Sequence, residues 1–143
     1  MSSNVRTAHA RWVQGKEFDV TTGSGHHVVL DSTIKGGGND RGPSPMEMLL
    51  VGLAGCTGMD VIDILHKKRQ EVEGLEIKVD ATRSDDTPAV YTHLDVCYTV
   101  RGKNIAPEAV ERAIFLSETK YCSVGAMLGK VAKIKTRFEI VPA

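Results

Sequence analysis

Polar and apolar residues alternate in short runs over the first third of the chain, in "NVRTAHARWV", "KEFDVTT" and "HHVVLDS", with breaks at Gln14-Gly15 and at Gly23 to Gly25. Period-two alternation between turn residues predicts three strands of a meander. The glycine-rich "IKGGGNDRG" then reads as a loop. From Ser44 to about Gln70 the rhythm becomes helical. Ser44 at the N-cap, Pro45 at N1 and Glu47 at N3 form a capping box with a first-turn proline, and the basic "HKKR" suits the far end of the dipole. Two further strands follow, "LEIKVDATR" with Leu75, Ile77 and Val79 on one face, and "THLDVCYTVRG" with Leu94, Val96, Tyr98 and Val100 inward. A second helix opens near Pro107 and buries Val110, Ala113, Ile114 and Ser117. A third runs from around Cys122 to Leu128 and stops at Gly129, and a last strand carries Ile134, Phe138 and Ile140. The order β-β-β-α-β-β-α-α-β, with antiparallel character and one dominant helix, is that of an α+β fold.

The segment Met46 to Cys56 carries one charged side chain, Glu47, in its first turn. A helix apolar on all sides is a buried one. A single layer of about six strands covers one side of it, which leaves the other to a second copy and points to an intertwined homodimer. Gly52 and Gly55 each cost about 1 kcal/mol against alanine in a helix interior, so close backbone approach or space beside Cys56 is expected to compensate.

Composition narrows the classes. The 143 residues suit one domain, 1–143, and 41% hydrophobic with 25% charged residues is ordinary for a globular protein. Eighteen basic and eighteen acidic residues cancel, and the longest basic block is Lys67 to Arg69. No footprint for nucleic acid is present. The N-terminus has no apolar h-region and no uninterrupted apolar run reaches about 18 residues, so neither export nor membrane insertion is expected and the cytoplasm is the default. Three cysteines with no CxxC form neither a disulfide framework nor a zinc module.

A free cysteine most often behaves as a small buried hydrophobe. Cys97 shares the polar face of its strand with His93, Asp95, Thr99 and Arg101, and no role is assigned to it. Cys56 and Cys122 each sit where a helix can aim them. Cys122 opens the third helix, where unpaired N–H groups are expected to lower its pKa. Cys56 lies mid-helix and needs a cation from elsewhere, while Asp60, one turn on, would raise its pKa. His26 and His27 point to opposite faces of a strand, so they do not chelate a metal together and read as surface or loop-anchoring residues. Lys120 and Tyr121 are expected to pack or meet solvent.

"SPMEMLLVGLAGC", followed sixty-six residues after its cysteine by the cysteine of "KYCSVGAML", resembles the OsmC/Ohr superfamily of thiol peroxidases, most closely its YhfA-like branch. The likeness extends from "ARWVQG" through "SGHHVVLD" to the final strand. It implies an α+β intertwined dimer with long helices at the centre, and cysteine-based reduction of organic hydroperoxides. By that resemblance Cys56 is the peroxidatic thiolate, which becomes a sulfenic acid, and Cys122 resolves it as a disulfide. A dithiol reductant, with lipoylated protein as the precedent, restores the enzyme; no metal or prosthetic group is implied. The peroxidases also carry an arginine that holds the thiolate and a glutamate, ten residues before the first cysteine, that positions it. That position is Met46 here, and Glu47 is one residue off, or 100° around the helix. Nine residues of helix span about 13.5 Å, so Glu47 does not reach its own Cys56. Either it serves the cap alone, or as a candidate catalytic residue it meets the thiol from a partner chain or by a bent path. Arg41 is the nearest candidate cation, equally readable as a solvated loop residue, with Arg6 and Arg11 as competitors.

Leu49, Leu50, Leu53 and Met59 are expected to give the thiol an apolar pocket suited to organic hydroperoxides. A non-enzymatic module holding a small apolar or electrophilic ligand on the same dimeric scaffold is the alternative, with the altered glutamate in its favour. Thiolate metal binding, with two cysteines and no matched histidine pair, ranks last.

Overall fold

The computed structural model describes residues 4–143; the first three residues of the N-terminal stretch read above lie outside the described residues. The elements follow in the order expected from the pattern: β1 (Ala8–Gln14), β2 (Glu17–Thr22), β3 (His27–Leu30), α1 (Pro45–Lys67), β4 (Glu71–Arg83), β5 (Tyr91–Lys103), α2 (Pro107–Leu116), α3 (Ser123–Leu128) and β6 (Lys133–Pro142). One π turn, Ser117–Tyr121, joins α2 to α3. The fold is α+β. Two compact units divide it, one ending at Leu49 and one running Leu50–Ala143.

In the N-terminal unit β1, β2 and β3 form an antiparallel meander. Gly15 turns the first hairpin at φ +52°, a left-handed conformation that costs glycine nothing. Asp31 organises the glycine-rich loop behind β3. It is buried, and its carboxylate accepts the backbone N–H groups of Ser32 (2.7 Å), Arg41 (3.1 Å) and Asn39 (3.2 Å). The Ser32 N–H, foremost, holds its pKa below the ordinary 3.8. A depressed carboxylate stabilises the state in which it is ionised. Asp31 should therefore hold this loop fully above pH 3.8 and release it as the pH falls below that value. Amide exchange at Asn39 and Arg41, followed through this window, should lose protection, and Asp31→Ala should lose it at pH 7; protection unchanged in the variant would remove Asp31 from this role.

The helix α1 starts as its capping box dictates. The Ser44 N–H donates to Glu47 Oε1 (2.9 Å), and the Glu47 N–H donates to Ser44 Oγ (3.2 Å). Its far end carries His66 and Lys67, and the chain leaves it through Arg69 at φ +58°. By length and composition this helix would suffice to cross a bilayer, which a search for uninterrupted apolar residues does not show. It is packed instead on the protein's own sheet: Leu53, Thr57, Val61 and Leu65, spaced by four, are each no more than 3% exposed.

In the C-terminal unit the strands are ordered β4-β5-β6. The inward row of β5, Leu94, Val96, Tyr98 and Val100, is buried as its alternation predicts, and so are Val110, Ala113, Ile114 and Ser117. The pairing departs from the expectation at one place. β5 and β6 run parallel, because α2, the π turn and α3 make the crossover that parallel neighbours need.

Two further expectations are corrected. The six strands make two sheets of three rather than one layer. Within one chain α1 is covered on one side only, as the sequence leads one to expect. Val51 is 56% and Met59 74% exposed, because a three-stranded sheet covers a single stripe of a helix. Nor do Gly52 and Gly55 make room for backbone within the chain. A Cβ on Gly52 would meet only Val124 at ordinary distance, and one on Gly55 would meet nothing within 4 Å. It is Gly58 that lies against the sheet, where a Cβ would stand 2.8 Å from Ile77 Cδ1.

Candidate functional site

Cys56 and Cys122 come together. The two sulfurs and the carboxylate of Asp60 all lie within 4.8 Å of one another, and both cysteines are free. Cys56 and Asp60 share one face of α1 because residues four apart stack over a single turn. Cys122 reaches them through the π turn. Its N–H donates to Ser117 O (2.8 Å), five residues back, and this wider turn takes the chain from the end of α2 to the cap of α3. At the cap Cys122 is extended, and its Sγ accepts the Gly125 N–H (3.2 Å). A Cβ on Gly125 would stand 3.2 Å from that sulfur, so glycine gives the thiol its seat.

The charge state of Cys122 is opposite to the one expected. Burial, chiefly, pushes its pKa up to about 11; the Gly125 N–H pulls it down, and the neighbouring Cys56 thiol and the Asp60 carboxylate push it up again. The helix N-terminus offers one N–H to the sulfur, and removal from water outweighs it. Cys122 is a protonated thiol at neutral pH.

Behind the thiols lies a chain of buried hydroxyls. Thr57 Oγ1 is 2.7 Å from Tyr98 OH and 2.8 Å from Ser117 Oγ, and Ser117 Oγ donates to Asp60 Oδ2 (3.0 Å). Burial, above all, raises the pKa of Tyr98, so its hydroxyl stays protonated. A small cavity opens beside Cys122, lined by Leu53 from α1, Val96 and Tyr98 from β5, and Ile134 from β6. Its apolar wall comes largely from the sheet rather than from α1 as expected. Met59 lines a separate cleft with Gly55, Gly58 and Ile77.

The other candidates have partners of their own. Glu47 is occupied by the capping box, and its bonds from Ser44, backbone first, hold its pKa low. Arg41 Nε lies 3.2 Å from Glu17 Oε1, an ion pair without the alignment of a hydrogen bond. Glu17 is 6% exposed and was not singled out from the sequence: it opens a strand after a glycine turn, where a charged residue is ordinary. Arg11 pairs with Asp19 (3.2 Å), and Arg6 donates to the Val5 carbonyl (3.2 Å). His27 meets Asp19 and Thr21, and His26 meets Ser24, as loop-anchoring residues would. Cys97 lies on the polar face of β5, in register with Lys78 and Arg137.

Among the described residues, Cys56, Asp60 and Cys122 are also the set that could hold a metal ion. Two cysteine sulfurs and a carboxylate are donors of the type zinc takes.

A family model described as "OsmC-like protein" matches residues 37–137. The chain is 40% identical over 136 residues to "Protein YhfA" of Escherichia coli strain K12, covering 95% of this chain and 98% of that one. A hypothetical protein from Aquifex aeolicus has a crystal structure that superposes with a TM-score of 0.87 at 32% identity, covering 99% of both chains. An organic hydroperoxide resistance protein, OsmC, of Legionella pneumophila superposes at 0.71 with 14% identity over 97% of this chain and 99% of that one, a likeness of fold.

Proposed function

This chain belongs to the OsmC-like family, and on that premise we propose that it is a cysteine-based peroxidase that reduces organic hydroperoxides. The observation that carries this reading is the approach of Cys56 and Cys122 to within 4.8 Å across sixty-six residues of sequence. In the first step the Cys56 thiolate attacks the terminal peroxide oxygen, the O–O bond breaks, the alkoxide leaves as the alcohol with a proton from solvent, and the sulfur becomes a sulfenic acid. Cys122 then attacks the Cys56 sulfur, water leaves and a disulfide forms. A dithiol, such as that of a lipoylated protein, exchanges with the disulfide and returns both thiols. The apolar cavity beside Cys122 favours a substrate with a hydrocarbon part over hydrogen peroxide. The hydroperoxide-resistance name of the Legionella fold relative is consistent with this.

Arg41 is the cation this reading assigns to Cys56, supplied in an assembled homodimer, with Glu17 rather than Glu47 orienting the guanidinium. The dimer is part of the proposal. The exposed apolar residues of α1 and the strand β1, exposed at every residue, Trp12 and Val13 included, are surfaces that a second copy would cover. We place the protein in the cytoplasm, where thiols are kept reduced.

The test is oxidation by one equivalent of cumene hydroperoxide, with every cysteine mapped by mass spectrometry. A Cys56–Cys122 disulfide should form within seconds and be cleared by dihydrolipoamide; a Cys56 that stays reduced would sink the enzyme. That outcome would leave the second reading, a module that binds a small apolar or electrophilic ligand without turnover. Met46, standing where the peroxidases carry their glutamate, is what favours it.

A further inference from the structure

We propose that Asp60 is the proton carrier of the disulfide-forming step, taking the proton from Cys122 and delivering it to the hydroxide that leaves Cys56. This rests on the peroxidase reading above. Three observations support it. The first is position: the carboxylate lies within 4.8 Å of both sulfurs, near enough to serve donor and leaving group from one place, directly or through one water.

The second is the direction of the hydrogen bonds behind it. A carboxylate only accepts, so Ser117 spends its single hydroxyl proton on Asp60 Oδ2. Ser117 must then accept from Thr57, which leaves Thr57 to accept from Tyr98. Every hydroxyl proton in the chain points toward Asp60. Such aligned bonds polarise one another and fix Oδ2 in place, 3.0 Å from Ser117 Oγ. Ser117 and Thr57 are 0% and 3% exposed, so water does not scramble this order.

The third is need. The Cys122 thiol must lose its proton as the S–S bond forms, and the hydroxide leaving Cys56 must gain one. Glu118 is a carboxylate that lines the cavity, but it is exposed and lies outside the group of three. In the step itself the Cys122 sulfur attacks the Cys56 sulfur and the S–O bond breaks. The Cys122 proton passes to Asp60 and on to the departing hydroxide, which leaves as water, and Asp60 is an anion again. One thiol and one sulfenic acid give one disulfide and one water, with no other oxidant in the step.

Asp60→Asn separates the two stages. The amide oxygen still accepts from Ser117, but the group no longer carries a proton. Wild type and variant are pulsed with one equivalent of cumene hydroperoxide, Cys56 sulfenic acid is trapped with dimedone, and the disulfide is counted by mass spectrometry over time. Loss of Cys56 thiol should proceed within a few-fold of wild type. Disulfide formation should slow by about 10²- to 10⁴-fold, so that the dimedone adduct accumulates, and Asp60→Glu should recover part of the rate. Ser117→Ala, which keeps the carboxylate and frees it, should slow the same stage by a smaller factor and serves if Asp60→Asn does not fold. Disulfide formation at the wild-type rate in Asp60→Asn, or an equal slowing of both stages, would overturn the assignment. A wild-type Cys56 that never reacts with peroxide would instead remove the peroxidase reading itself, and the two failures are told apart in the wild-type trace.

Discussion

Cys56→Ser is expected to lose hydroperoxide turnover by about 10³-fold or more, to background, because the attacking species is a thiolate and a serine hydroxyl does not ionise at neutral pH. Cys122→Ser should differ in kind. It keeps the first step and stops at the sulfenic acid of Cys56, because the second sulfur that would displace water is gone. Cys97→Ser should run at the wild-type rate, since Cys97 lies on the outer face of β5 with Lys78 and Arg137 in register beside it. The measurement is consumption of cumene hydroperoxide coupled to dihydrolipoamide oxidation. If Cys97→Ser loses as much as Cys56→Ser, the working pair has been chosen wrongly. The prediction draws its force from tertiary structure, which puts the Cys56 and Cys122 sulfurs within 4.8 Å and keeps Cys122 protonated. One thiol is thereby left to attack and the other to resolve.

Met59→Asp should convert the protein from dimer to monomer at micromolar concentration. Met59 is 74% exposed and Val51 56%, on a helix whose buried residues within the chain form the one stripe at Leu53, Thr57, Val61 and Leu65. If a second copy covers the rest of that helix, a carboxylate at residue 59 becomes an unpaired charge removed from water. An uncompensated buried charge costs about 3–5 kcal/mol, which weakens dimerisation by roughly 10²- to 10³-fold. Sedimentation velocity reads the change directly. Circular dichroism should stay near that of wild type, because Met59 is 74% exposed in its own chain. A wild-type protein that sediments as a monomer would remove the dimer from the proposal, and with it the partner that is to supply Arg41.

The elements that were legible in the sequence are those whose causes are local. The capping box closes between Ser44 and Glu47, and the alternation of Leu94, Val96, Tyr98 and Val100 needs only the pleat of β5. The order of strands and helices follows from such periodicities, and the paired cysteine motifs carried the family. Pairing of the strands is another matter. Two sheets of three in place of one layer, and the parallel pairing of β5 with β6, depend on how the crossover through α2 and α3 travels, which no single segment encodes.

The site divides in the same way. The sequence by itself determined which residues bear the chemistry, because thiols and carboxylates are chemical types, and it determined that Glu47 caps the helix, because that bond spans three residues. Only the tertiary structure decided which of these groups meet and in what state. The Thr57–Tyr98 and Thr57–Ser117 bonds join residues 41 and 60 positions apart, and Glu17 finds Arg41 across the meander and its loop. Cys122 shows the physical reason most plainly. Its place at a helix start favours the thiolate, its burial opposes it more strongly, and burial is a property of everything packed around a residue rather than of the residues beside it in the chain.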